Sequence, residues 1–448
     1  MDVMLIYDRL PVWLQNVACT LEGARVNQRK HGKRVQKELK AFMERKDWSY
    51  PQLCAYRDEQ LAKMVEHCYH HVPYYHDLFD RLGIDYRTIR HLEDLQQLPV
   101  LTKDIVRQNF DRLLADNVPK SELMFRHTSG TTGSGFQFYY TKEAFAKQWA
   151  EITRHYSSLG IDGTEWAAYF GGRPFVPKTS NRPPFYRINY AMKEVMFSAH
   201  HLCPANYPDY IKGLEWRELP FWHGYPSSML LIAQYMLDHH IRLSYVPKAI
   251  MLASEGVTEA QLDKLEQAFG VRPFQGYALT EEVATFWEKR DRRMFVVEDI
   301  SAVELVPIDD QGTCRVLGTT LNNYGMPFLR YDTKDLVTWQ ETPEGRQILT
   351  LEGRLEDNIK LRNGGVMRRM TFIFKDMKHI TETQIVQKSL DLLEFRVVRG
   401  EHYGPEDEKL LHREIKAFLQ DEIGYTVVYV DSIPKTKGGK MKFIVSEV

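Results

Sequence analysis

The chain has 448 residues and 43% hydrophobic content, enough to bury substantial cores and to fill two or three domains. Its 59 Lys and Arg face 60 Asp and Glu, so no global charge draws it to nucleic acid and partners have to be argued from local features. Five cysteines (Cys19, Cys54, Cys68, Cys203 and Cys314) form no C-x-x-C pair, which fits free thiols in a reducing, cytoplasmic compartment better than a disulfide frame.

Asp2, Asp8 and Arg9 interrupt the first apolar runs, so no signal peptide is expected, and no later run reaches the length of a transmembrane segment. Residues 24–46 are locally basic, from Arg25 to Lys46, and read as a solvated helix face. His67, Cys68, His70, His71 and His76 straddle Pro73 and complete no tetrahedral ligand spacing.

The hexapeptide Thr128-Ser129-Gly130-Thr131-Thr132-Gly133 is the sharpest local signal. Glycine lets backbone approach an anion, and the hydroxyls add donors for phosphate oxygens. It is not a Walker A loop, because Gly133 is followed by Ser134, Gly135 and the alternating strand pattern of Phe136 to Tyr140. Beyond it the chain alternates helix and strand. Leu230, Leu231, Ala233 and Leu237 have helical spacing within 227–239, Ala249 to Ala253 is a short apolar strand, and Thr258 with Gln261 forms a capping-box pattern opening a helix that ends near Gly270. This predicts βα layering with much parallel sheet. From Ala302 to Leu351 short strand patterns separated by Gly, Pro, Asp and Asn predict a small barrel or sheet, and the polar turn Gly353 to Asn358 is the expected domain boundary.

Four further clusters follow in order. Gly276-Tyr277-Ala278-Leu279-Thr280-Glu281 offers an aromatic plate, a hydroxyl and a carboxylate able to hold Mg²⁺. Arg330-Tyr331-Asp332-Thr333-Lys334-Asp335 carries a carboxylate into a strand, where it can accept both hydroxyls of a ribose. Gly353 to Lys360 joins two compositional halves, and Pro434-Lys435-Thr436-Lys437-Gly438-Gly439-Lys440 lies near the end.

Together these clusters resemble the adenylate-forming (AMP-binding) superfamily of acyl-CoA ligases over Thr128 to Lys440. Leu98 to Lys103 and Gly224-Tyr225-Pro226-Ser227 are similar to the phenylacetate-CoA ligase family, and especially to its capsular-polysaccharide (CapK-like) branch. The resemblance implies an α/β fold. Residues 1–352 would form a large N-terminal domain of layered βα sheets plus a small β-barrel, binding ATP and the carboxylate; residues 353–448 would form a small mobile α+β cap carrying the catalytic lysine.

Carried over by position, Thr128, Ser129, Gly130, Thr131, Thr132 and Gly133 form the phosphate loop, Ser254, Glu255 and Gly256 line the adenine site, and Gly276 with Tyr277 flanks adenine. Thr280 touches the α-phosphate, Glu281 ligates Mg²⁺, Asp335 holds the ribose hydroxyls and Arg354 reaches ribose or phosphate. Glu356 takes the hinge position, and Lys440 resembles the lysine that bridges the attacking carboxylate and the α-phosphate. The chemistry supports these residue types: two anions must meet, so the site needs Mg²⁺ and a cation where charge accumulates, and a lysine on a movable segment can withdraw before the acceptor enters.

This sequence departs from its relatives at several points. The loop lacks a following Pro-Lys, Ala278 replaces the commoner glycine, Lys334 replaces the glycine before the ribose aspartate and Glu356 replaces the hinge aspartate. None removes an indispensable charge. The expected acyl pocket is lined by Tyr169, Gly171, Gly172, His200, His201, Tyr225 and Ser227, which suit an aryl or polar carboxylate, and His200 or His201 could also position an acceptor.

The expected activity is therefore ATP-dependent activation of a small carboxylic acid through an acyl-adenylate, with CoA as the thiol acceptor and a link to polysaccharide biosynthesis. The rivals are transfer to an amine or hydroxyl of a sugar or amino acid, and a catalytically silent nucleotide-binding scaffold. Retention of Glu281, Asp335 and Lys440 argues against silence. A basic stretch, Arg368, Arg369, Lys375 and Lys378, reads as a solvated face before it reads as a contact for CoA phosphates, and the resemblance is compatible with a homodimer.

Overall fold

A computed structural model describes residues 6–127, 136–354, 359–362, 366–367, 370–374, 377, 379–419, 423–436 and 441–448. The chain divides into two compact units, one of residues 1–25, 164–274 and 354–448, the other of residues 26–163 and 275–353.

In the first unit the strands Ala167–Gly171, Glu194–Ser198, Phe221–Gly224 and Ala249–Leu252 run parallel, and Tyr186–Asn189 adds an antiparallel edge. They read as apolar runs because both faces are buried. Helix Pro226–Asp238 is buried along almost its whole length. Helix Glu259–Phe269 begins with both capping-box hydrogen bonds of Thr258 and Gln261 and stops at Gly270, whose φ of 79° belongs to the left-handed region. Phe170 stacks on Phe197 at 4.7 Å beside Trp222, and burying each of these rings contributes roughly 2 to 3 kcal/mol.

The same unit holds a four-stranded sheet in the order Gly424–Tyr429, Leu392–Arg399, Ile380–Ser389, Ile444–Ser446. Its central pair is antiparallel and its outer strands are parallel to their neighbours. Helix Pro405–Leu419 is the crossover between two parallel strands and buries Leu411 and Ile415 against Leu393, Phe395 and Val397.

In the second unit the strands expected after residue 300 form an antiparallel sheet. Ser301–Pro307, Cys314–Thr320 and Tyr331–Thr342 pair in sequence, and Met294–Val296 joins Gly345–Arg354 to Thr285–Glu288. Two adjacent acids organise the helices of this unit. Glu298 receives Arg57 at 2.8 Å and Arg346 at 2.7 Å, while Asp299 receives Arg45 at 2.9 Å and Arg154 at 2.8 Å. Arg45, expected on a solvated face, is instead buried: Asp299 and the Phe42 and Tyr56 rings enclose it. His67 bonds the Tyr324 carbonyl and His71 bonds Asp116. No described helix is long and apolar enough to cross a membrane, and all five cysteines are free thiols.

Candidate functional site

The first unit places many of the expected residues at one kind of position, the carboxyl ends of its parallel strands. Gly171 and Gly172 follow the first, Ala199 to His201 the second, Gly224 to Ser227 the third and Ser254 to Gly256 the fourth. In open parallel sheets this end is where ligands bind. The backbone is drawn tight there. Tyr225 N donates to the Phe170 carbonyl at 2.7 Å, and Gly224, at φ 137°, has no room for a side chain because a Cβ would lie 1.9 Å from that same oxygen.

The two adjacent histidines part company. His201 stacks on Phe185 and has both ring nitrogens engaged, Nδ1 with Ser198 Oγ at 2.8 Å and Nε2 with the Pro177 carbonyl at 3.1 Å. It is packed core. His200 keeps a buried Nε2 with no hydrogen-bond partner among the described residues, and burial together with Lys178 pushes its pKa down, so the ring is neutral. Ser227 is likewise buried, with its side chain beside the Glu255 carboxylate, and its amide donates to Glu255 Oε2 at 3.1 Å. Tyr169 lies 5.1 Å from the His223 ring, and its hydroxyl is 2.0 Å from where a Cβ on Gly171 would be. Ser254 adopts φ 72°, which turns the chain sharply before Glu255.

The second unit carries the other clusters. Strand Phe274–Ala278 pairs with Thr285–Glu288 so that Tyr277 faces Phe286, and the two rings stack at 4.7 Å. The Tyr277 hydroxyl donates to Asp335 Oδ2 at 2.7 Å, joining the stacked ring and this carboxylate across 58 residues. Burial and the Asp335 charge push the Tyr277 phenol well up, so it remains a donor. Thr280 is exposed at the turn; Glu281 beside it is buried and accepts from the Tyr331 hydroxyl at 3.3 Å.

The structure also distinguishes the two aspartates of the 330–335 cluster. Asp332 is fully buried and committed to Arg315 and to Lys334 Nζ. Burial opposes its charge, but those two cations hold its carboxyl below the usual range. Asp335 stays half-exposed. Lys334 has φ 66°, a conformation that costs about 1 kcal/mol for an L side chain. Its amide bonds Asp332 Oδ1 at 3.0 Å and its ammonium lies 2.9 Å from Oδ2, which offsets that strain.

The Thr128 to Gly133 segment lies outside the described residues, as do Glu356, Lys440 and the basic residues Arg368, Arg369, Lys375 and Lys378; of Arg354 only the backbone, ending a strand, is described. The strands flanking the hexapeptide are described: Leu123–His127 pairs antiparallel with Gln137–Thr141, with His127 opposite Gln137. Sequence reasoning passed over Glu282, which follows Glu281 at φ 57°, is buried and, among the described residues, has no hydrogen-bond partner on either carboxylate oxygen. A doubled acid after Thr280 was the available signal. A cleft of about 340 Å³ bounded by Arg399, Gly400, Tyr403, Tyr429, Val430 and Asp431 contains none of the expected site residues.

A family model described as the CapK C-terminal domain matches residues 361–447. Over 99% of both chains the sequence is 24% identical to Protein CapK of Staphylococcus aureus. The likeness to Protein CapK runs along the whole chain, and the matched family model covers its carboxyl-terminal part. The phenylacetate-coenzyme A ligase of Thermus thermophilus is 25% identical, over 87% of this chain and 95% of that one. Among solved structures, 2-hydroxyisobutyryl-CoA ligase in the postadenylation state with R3-HIB-AMP superposes with a TM-score of 0.67 at 16% identity, covering 87% of this chain and 89% of that one. An open conformation of the same ligase with 2-HIB-AMP and CoA gives a TM-score of 0.52 at 18% identity, covering 87% and 90%. The fold is that of the acyl-CoA ligases, and the chain sets its candidate residues on strand ends and turns of that fold.

Proposed function

We propose that this chain is an AMP-forming ligase that activates a small carboxylic acid with ATP and then passes the acyl group to CoA. The observation that carries the reading is the Tyr277–Asp335 hydrogen bond: a stacked aromatic and a half-exposed carboxylate, far apart in sequence, are held together as a base platform and a ribose acceptor would be. The likeness to phenylacetate-coenzyme A ligases along most of the chain supports the same reading.

In the first step a carboxylate oxygen of the acid bonds to the α-phosphorus, the bond from that phosphorus to the bridging oxygen breaks, and pyrophosphate leaves with the electron pair. Thr280 and the phosphate loop would donate to the phosphate oxygens, and Lys440 would offset the charge shared by the two anions. Mg²⁺ fits the donor set, because the ion takes one or two protein carboxylates together with phosphate oxygens and waters; Glu281 would hold it, and when bound it neutralises the leaving group. In the second step the CoA sulfur, its proton lost to solvent, attacks the acyl carbon and AMP departs.

For the acid, the buried His200 Nε2, unpartnered among the described residues, favours a substrate bearing its own hydrogen-bonding group over a purely apolar one. The 353–448 segment would act as the mobile part that exchanges Lys440 for the acceptor. The branch resemblance makes a sugar amine or hydroxyl the acceptor to test after CoA.

The deciding experiment is acid-dependent pyrophosphate release from ATP and Mg²⁺ over a panel of aryl and hydroxy acids, with adenylates trapped by hydroxylamine and Lys440→Ala run alongside. Release that requires one acid and collapses in the variant supports the reading. ATP binding without release for any acid counts against it and favours a silent scaffold.

A further inference from the structure

Two polar contacts join the carboxyl-terminal segment to the strand-end loops of the first unit, and the chemistry above uses neither. Lys435, half-buried, donates to the Ala199 carbonyl at 3.4 Å, immediately before His200. Met441 N donates to Glu255 Oε1 at 3.3 Å, on the carboxylate whose other oxygen takes the Ser227 amide. Lys435 and Met441 are themselves bridged as antiparallel partners, so the two contacts lie side by side.

The same segment is rooted in the four-stranded sheet. Ile433 N donates to Glu382 Oε2 at 3.0 Å, Gln384 Nε2 to the Lys442 carbonyl at 3.0 Å, and Ile385 N to the Phe443 carbonyl at 2.8 Å. Lys435 thus stands between an acid of that sheet and an acid of the strand-end loops. Burial pushes its ammonium down, while Glu382 and Glu255 support the charge. The root contacts are short and the two outward contacts are long, near the limit of hydrogen bonding. A segment held firmly at its base and lightly at its tip can be undocked without unfolding the sheet that carries it.

We propose that Lys435 and Glu255 are positioning residues that together hold residues 433–436 and 441–444, which flank Lys440 in sequence, against the strand-end loops for adenylate formation. This rests on the function proposed above and assigns Glu255 to holding the tail rather than to contacting adenine. Lys435 acts through a main-chain carbonyl and touches no reacting atom.

The test compares the full-length wild type with Lys435→Met, Lys435→Arg and Glu255→Gln. Hydrogen exchange in peptides covering 433–444 should speed up about tenfold in Lys435→Met and Glu255→Gln. Exchange in the buried strands around Ile385 and Phe395 should not change, and Lys435→Arg should keep most of the protection. With the activating acid in hand, Lys435→Met should lower the rate of pyrophosphate release about tenfold and leave the ATP KM within about twofold. Unaltered exchange in both variants overturns the latch, and so does faster exchange with undiminished adenylation. A wild type that releases no pyrophosphate overturns the functional reading, while the exchange comparison still decides the latch.

Discussion

Replacing Glu151 by glutamine should make this chain more stable, and only above mildly acid pH. Glu151 lies on helix Lys142–Ser158, is buried, and accepts from Trp287 Nε1 at 2.7 Å. Burial, opposed by Arg154 and reinforced by Asp299, pushes its carboxyl from 4.5 up to about 7. The folded state therefore keeps the proton after the unfolded chain has released it. Glu151's contribution is fully present below the unfolded pKa and is lost as pH rises through the folded one. The loss is ~2.5 units at 1.36 kcal/mol each, or about 3 kcal/mol above neutrality. Glutamine keeps the shape and an oxygen for the indole and carries no charge to desolvate. With an unfolding entropy of ~0.9 kcal/mol/K for the 448-residue chain, the variant's Tm should exceed that of the wild type by about 3 °C near pH 8 and by less than about 1 °C near pH 5. His155, stacked on Trp287 and pushed down to about 3 by burial and Arg154, tilts the stability of both proteins the opposite way, and the subtraction removes it. A Tm difference that does not change with pH would refute the reasoning.

Three other perturbations probe separate features. Tyr277→Phe deletes a hydrogen bond to a carboxylate and should raise the ATP KM about tenfold, for a loss of about 1.5 kcal/mol, with kcat little changed; initial-rate kinetics would show an unchanged KM if the phenol does not orient Asp335. Arg154→Met leaves Asp299 with Arg45 alone in a buried setting and should lower stability by about 3 kcal/mol in urea unfolding, whereas a loss under about 1 kcal/mol would mean that Arg45 suffices. Gly318→Ala drives a Cβ to 2.2 Å from the Val283 carbonyl, directly behind Glu281 and Glu282, and should lower stability by about 2 kcal/mol or more; an unchanged Tm would contradict that packing.

Local physics made much of the architecture readable. Helix Pro226–Asp238 follows from apolar spacing, the start of Glu259–Phe269 from Thr258 and Gln261, and the strands after residue 300 from alternation between turn residues. The strand-end positions of Gly171, His200, Tyr225 and Ser254 then follow from parallel layering. Partnerships across the chain were not readable. Nothing in the spacing of Arg45 marks it for Asp299, 254 residues away, and nothing separates His201, locked to Ser198 and Pro177, from its neighbour. Asp332 and Asp335 look alike in sequence, and only tertiary contacts, Arg315 from the adjacent strand to one and the Tyr277 hydroxyl to the other, set them apart. Such pairs depend on tertiary closure, which leaves no trace in local period or propensity.

One such closure sets a timetable for the newborn chain. Leu101 bridges Tyr331 in a parallel ladder: its amide donates to the Arg330 carbonyl, its carbonyl accepts from the Asp332 amide, and Arg330 also reaches the Leu98 carbonyl across 232 residues. At typical elongation rates the ribosome needs about 10 to 50 s to deliver that partner. Throughout that interval residues 98–101 have no ladder to join, and the backbone that presents Asp335 does not yet exist. That ladder can therefore form only after most of the chain has emerged, and a fragment ending before Leu329 would leave the segment near Leu101 with unpaired backbone for chaperones to cover.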